Sequence, residues 1–151
     1  MPTKQGRNRF SGTLGRIALG LCIFGVLAQG HVSVTPQQSK AGATEHYVVR
    51  VPTEGSVTTI SVDLEIPAGV TVGEVTAPAG AKYEVSREGA RIAGIKWTVE
   101  IKPGSSAELS FNAQNPASEA PLVWKAHQHF ADGTTRDWVP ATKLTSASPA
   151  K

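Results

Sequence analysis

Four histidines stand in this chain, and their positions suggest two kinds of chemistry. His31 follows the small-residue patch "LAQG" and opens the extended segment "HVSVTP". If the chain is cut after Gly30, His31 becomes its first residue and carries two nitrogen donors, the α-amine and the imidazole. An α-amine, with a pKa of roughly 8, is readily deprotonated by a strong Lewis acid. Amine and Nδ1 then close a six-membered chelate ring around one ion. Such a flat nitrogen pair suits Cu(II), which takes square-planar or tetragonal N/O sites and stands highest among the divalent ions. Zinc would ask for more imidazole, thiolate or carboxylate ligands. Without a metal, His31 is simply an exposed terminal residue. The second group is His127 and His129 in "HQH", which share one face of a strand and have the look of a zinc pair. Two ligands alone make a poor site, and exposed strand histidines are the plain alternative.

The first option depends on the cut, and the first thirty residues favour it. Residues 1–16 carry Lys4, Arg7, Arg9 and Arg16 and no acid, and residues 17–28 form an apolar run of twelve. Ala28 and Gly30 then occupy the small-residue positions of an A-x-A-like site. This is the layout of a secretory signal peptide, here residues 1–30. The run is too short for a bilayer span of roughly twenty apolar residues. Cys22 lies inside it, with Leu21 where a lipoprotein signal needs a small residue. The mature chain therefore holds no cysteine and can form neither a disulfide nor a thiolate site, although it is destined for an oxidising compartment.

Residues 31–151 are about one domain's worth. The formal charge of +3 belongs to the leader: beyond it stand eleven Lys and Arg against twelve Asp and Glu, a net of −1. The mature chain has no basic run to grip phosphates, which excludes a nucleic-acid partner. It has no glycine-rich nucleotide loop, no G-x-S-x-G and no recognisable Ser-His-Asp spacing.

The elements that must position these residues read as strands. "EHYVVRVP" (45–52), "TTISVDLEIP" (58–67), "RIAGIKWTVEI" (91–101), "AELSFNAQNP" (107–116) and "PLVWKAHQHF" (121–130) alternate with period two, between Pro, Gly or Asn. "AGVTVGEV" and "AKYEVS" add shorter candidates. Such spacing predicts an all-β fold, an immunoglobulin- or fibronectin-like antiparallel β-sandwich without a disulfide. Its domain is expected over residues 31–143, with a disordered polar tail over 144–151 and no membrane anchor once the leader is removed. Trp97, Ile101, Phe111 and Trp124 are expected in the core. In "HQHFADGTTRDWVP", Asp132-Gly133 predicts a hairpin. A two-residue loop sets His127 opposite Trp138, whereas a three-residue loop slips the register and brings Gln128 near Trp138 instead.

Taken in order, "GHVSVTP", "AGATEHYVVRVPTE", "IKWTVEIKPG", "FNAQNP" and "QHFADGTTRDW" resemble the YcnI-like family of bacterial extracytoplasmic copper-binding proteins, over nearly all of residues 31–140. The resemblance implies a β-sandwich whose signal is cut to leave histidine first, binding Cu(II) through amine and imidazole in a monohistidine brace. It implies His31 as the brace residue, Trp138 as the aromatic beside the metal and Glu45 of "TEHY" as the candidate carboxylate. An indole offers only an N–H, so Trp138 would act as a lid, with no lone pair for the metal. His127 is the other histidine the hairpin could bring to the site. Gly30 stands where the family usually has Ala, and the C-terminal membrane helix of some members has no counterpart in this sequence.

The function expected is that of a periplasmic Cu(II) chaperone or buffer in copper acquisition or homeostasis, not an enzyme. Its partners are the copper ion and copper transport or chaperone proteins of the cell envelope. Open coordination positions also allow a homodimer. The alternatives are a metal-free immunoglobulin-like interaction module of the cell envelope and a copper-dependent oxidative enzyme. The enzyme would ordinarily need two histidines around one copper. A blue-copper carrier is excluded by the missing cysteine and by Met1 being the sole methionine.

Overall fold

A computed structural model describes residues 30–147 of the chain. The proposed leader, apart from Gly30, lies outside the described residues. The elements are β1 (Ser33–Thr35), β2 (Gln38–Lys40), β3 (Thr44–Pro52), β4 (Thr59–Glu65), β5 (Thr71–Thr76) and β6 (Lys82–Glu88). They continue with β7 (Arg91–Ile101), β8 (Ser106–Gln114), β9 (Leu122–Val123), β10 (Lys125–Phe130), β11 (Thr135–Trp138) and β12 (Ala141–Thr145). All are strands, as the period-two reading requires.

One sheet runs β1-β3-β8-β5 and the other β11-β10-β4-β7-β6, with antiparallel neighbours throughout. A small third sheet, β2-β12-β9, joins strands from early and late in the described residues. Its β2–β12 pair is parallel, the one departure among the described strands from the antiparallel expectation.

Alternation builds the core between the two large sheets. On β7, Ile95, Trp97, Val99 and Ile101 are buried while Lys96, Thr98 and Glu100 face solvent. Tyr47, Val49 and Val51 of β3 and Leu109, Phe111 and Ala113 of β8 line the opposing inner face. The aromatic centre links both layers: Phe111 lies 5.5 Å from Tyr47, 5.6 Å from Trp124 and 6.4 Å from Trp97 between ring centroids. Each such pair adds roughly 0.5–1.5 kcal/mol beyond area burial. Full burial of both indoles is tolerable because their N–H groups are partnered. Trp97 Nε1 donates to the Thr76 carbonyl at 3.0 Å, and Trp124 Nε1 to Thr142 Oγ1 at 3.1 Å.

The domain continues past the expected boundary at residue 143. Leu144 is buried in the core and Thr145 pairs with Lys40, its carbonyl accepting from the Ala41 N–H at 2.8 Å. "ATKLT" is thus a strand closing the third sheet, and the polar tail begins later than its composition suggested.

Candidate functional site

β1 is one edge strand of the first sheet and β11 one edge strand of the second. The two edges meet where the chain enters the domain. Val32 and Val34 are buried, so alternation turns His31 outward at the lip of the sandwich. Ser33 pairs with Arg50, and continuing that register sets His31 level with Pro52 at the end of β3. The chain after Pro52 then carries Glu54 past this point. Glu54 Oε1 accepts from the Gly30 N–H at 2.5 Å. A Cβ on Gly30 would come within 2.5 Å of the Glu54 carboxyl carbon. The carboxylate therefore lies against the residue joined to His31.

Trp138 covers the other side. Its ring centroid is 5.2 Å from that of His31, with planes inclined at 42°. Its Nε1 donates to Gln128 Oε1 at 3.0 Å. Gln128 is itself 1% exposed, and its Nε2 donates to the Pro52 carbonyl at 3.0 Å and to Thr59 Oγ1 at 2.7 Å. Thr59 and Thr53 share a further hydroxyl contact at 2.7 Å. One buried polar chain thus runs from the indole to the segment presenting Glu54. Buried polar groups persist when every member is satisfied, and this chain meets that condition.

The hairpin explains why Gln128, and not His127, reaches Trp138. The loop has three residues, Ala131-Asp132-Gly133, closed by Phe130 N–H to the Thr134 carbonyl at 2.9 Å. A two-residue type I′ loop needs positive φ at both central residues, and here only Gly133 adopts it, at +85°. Asp132 instead accepts from the Thr134 amide and hydroxyl, contacts that hold its carboxyl below the usual range. Ala126 then pairs with Trp138 and Gln128 with Arg136, so His127 points to the opposite face, across from Asp137.

On that outer face both nitrogens of His127 are taken. Nδ1 meets Asp137 Oδ1 at 2.6 Å and Nε2 meets Glu65 Oε1 at 2.9 Å. Hydrogen bonds to Asp137 and then Glu65 raise its pKa above the ordinary value, as two acceptors around one ring require. His129 is held likewise, with Nε2 at 2.6 Å from Asp63 Oδ2 and Nδ1 at 3.0 Å from Thr135 Oγ1. The H-x-H pair belongs to a cross-strand hydrogen-bonded network, and neither of its histidines joins His31.

Glu45 also lies elsewhere. It accepts from Ser39 Oγ at 2.6 Å, in a network through Asn115 to the Tyr47 hydroxyl. Burial and then the Glu45 charge push that hydroxyl's pKa up to about 12. Seven positions separate Glu45 from Pro52 on β3, about 23 Å at ~3.3 Å per residue. The carboxylate held at this edge, against Gly30, is Glu54. Sequence reading missed it because strand pairing, not spacing, brings "PTEG" alongside "GHV". Gln128 was hidden by type, a polar residue that alternation places inside.

The donors at this edge fit one metal ion of nitrogen-and-oxygen preference. After a cut at Gly30 they comprise an amine, an imidazole and a nearby carboxylate, under an aromatic wall. Neither ring nitrogen of His31 makes a hydrogen bond among the described residues. Among those residues no cluster of three or more His, Cys, Asp or Glu side chains forms a metal cage.

Residues 31–151 match a family described as a domain of unknown function, DUF1775. Over 136 residues the chain is 30% identical to the copper-binding protein CutI of Bacillus subtilis strain 168, covering 83% of this chain and 67% of that protein. Among solved structures, an uncharacterised Nocardia farcinica protein with an immunoglobulin-like fold superposes with a TM-score of 0.68 at 19% identity, covering 76% of this chain and 98% of that one. A cohesin module of a Clostridium perfringens family 33 glycoside hydrolase gives 0.54 at 16% identity, over 78% and 99% of the two chains. These two likenesses speak to the fold alone. The match from His31 onward and the identity with CutI together establish that the chain belongs to the DUF1775 family, the YcnI-like family.

Proposed function

We propose that this protein binds Cu(II) at the amino terminus exposed by cleavage after Gly30, and that it serves as a copper chaperone or buffer of the periplasm. The observation that carries the reading is the approach of Trp138 to His31, with Glu54 held against Gly30, the residue joined to it. The His31 amine and Nδ1 would form the chelate, and Glu54 replaces Glu45 as the carboxylate positioned to join them. Trp138 would shield the ion without ligating it, since an indole has no lone pair to offer. The relationship to a protein named for copper binding supports the choice of metal. Coordination positions left open would let a partner of the cell envelope take or deliver the ion.

The deciding experiment titrates Cu(II) into protein beginning at His31 and into the same protein with Gly-Ser added before it. One tight equivalent is expected for the first, and much weaker binding for the second because its amine has become an amide. Binding to the free-amine form should weaken as pH falls below about 7, where copper competes with protons for amine and imidazole. Equal affinities for the two chains would move the metal away from His31.

A further inference from the structure

The proposed site sets an oxidisable indole beside a redox metal, and two contacts bear on what that indole can do. The first is at its nitrogen. Trp138 Nε1–H donates to Gln128 Oε1, and the Gln128 amide is locked in that orientation by its own two donated bonds. A carboxamide oxygen accepts a hydrogen bond but is no base. The second is at its face. Arg136, two residues earlier on the same side of β11, holds its guanidinium carbon 5.8 Å from the Trp138 ring centroid and 6.0 Å from that of Phe130. Arg136 is exposed, and among the described residues its side chain has no hydrogen bond or ion pair. Among the described residues no carboxylate therefore lies within ion-pairing distance of it.

Loss of one electron turns an indole into a radical cation, which ordinarily passes its Nε1 proton to a base and becomes a neutral radical. The electron would go to Cu(II), giving Cu(I), or to another one-electron oxidant. A guanidinium over the ring opposes the new positive charge, and Gln128 offers the proton no acceptor. We propose that Arg136 and Gln128 keep Trp138 in its closed-shell form, so that the aromatic cover of the site resists one-electron oxidation. Arg136 acts here through the indole and touches no metal ligand. Copper enters, on the reading above, only as the oxidant; the effect on the indole exists without it.

The test uses metal-free protein beginning at His31 and the outer-sphere oxidant hexachloroiridate(IV). In air-saturated buffer dissolved dioxygen traps the indole radical, and the oxygenated Trp138 peptide is followed by mass spectrometry, with buried Trp97 and Trp124 as internal references. Arg136→Gln should oxidise Trp138 about two- to fivefold faster than wild type, the scale of an exposed cation–π contact. Arg136→Lys should stay near the wild-type rate because the charge remains. The difference should shrink in 1 M salt, where the screening length is about 3 Å. Gln128→Glu, which supplies a base, should accelerate oxidation further; if it does not fold, the two Arg136 variants decide alone. Equal rates for wild type and Arg136→Gln would overturn the proposal, as would Arg136→Lys matching Arg136→Gln. A parallel arm adds Cu(II) and hydrogen peroxide. If Arg136→Gln is sensitive without metal but copper adds no damage at Trp138, the copper site lies elsewhere and the assignment of Arg136 stands.

Discussion

His31 and His127 both stand near β11, yet the strand offers them opposite faces. Trp138 and Arg136 turn toward the edge where His31 enters, while Asp137 and Thr135 turn to the outer face and engage His127 and His129. Both nitrogens of His127 are committed to carboxylates from the strands on either side. His31 meets an aromatic face and keeps both ring nitrogens without a hydrogen bond among the described residues. A histidine is available to a metal according to what its nitrogens already hold. By that measure the outer pair is spent on the sheet and His31 is open.

The largest effect should separate the two regions outright. His31→Ala should weaken Cu(II) binding by more than about a hundredfold, beyond the range for loss of an outer-shell partner. The double variant His127→Ala with His129→Ala should stay within about twofold of wild type. Competition titrations against a calibrated chelator would measure both, and a reversed order would assign the metal to the outer face.

The buried chain behind Trp138 should matter more to stability than anything on the outer face. Gln128→Ala strips partners from Trp138, Pro52 and Thr59 and opens a cavity, so denaturant unfolding should register a loss of about 2–4 kcal/mol. His129→Ala should cost less than about 1 kcal/mol, because its contacts are partly solvated.

Between the carboxylates the contrast is smaller. Glu54→Gln should weaken copper binding by about tenfold, at the lower end of effects from groups that support a metal. Glu45→Gln should leave copper affinity unchanged while disturbing the Ser39–Asn115–Tyr47 network. An equal loss from Glu45→Gln would return that residue to the site.

The smallest effect concerns pH. The folded-state pKa of His127 is raised, so its pairing contributes fully below the unfolded value of about 6.5 and is lost as pH rises through the folded value. Glu65, Asp137 and the nearby Lys125 are all substantially exposed, which limits the contribution to no more than about 1 kcal/mol. His127→Gln should remove this part of the pH dependence of unfolding and leave copper binding intact.

Much of the fold was legible in the chain. Period-two alternation identified β3, β4, β7, β8 and β10 and assigned Trp97, Ile101, Phe111 and Trp124 to the core, because a side chain's face on a strand follows from its position. Small residues before His31 and the type of His31 itself pointed to a terminal donor. Tertiary structure decided what His31 has for neighbours. Loop geometry moved the register by one residue, replacing His127 with Gln128 beneath Trp138. Pairing of β1 with β3 brings Glu54, and not Glu45, against Gly30, since a strand partner is chosen by the shared core and not by closeness in the chain. Each shift changes which polar side chain stands at this edge while leaving the hydrophobic pattern almost untouched, which is why local sequence can specify the sandwich and yet leave the surroundings of His31 to the assembled fold.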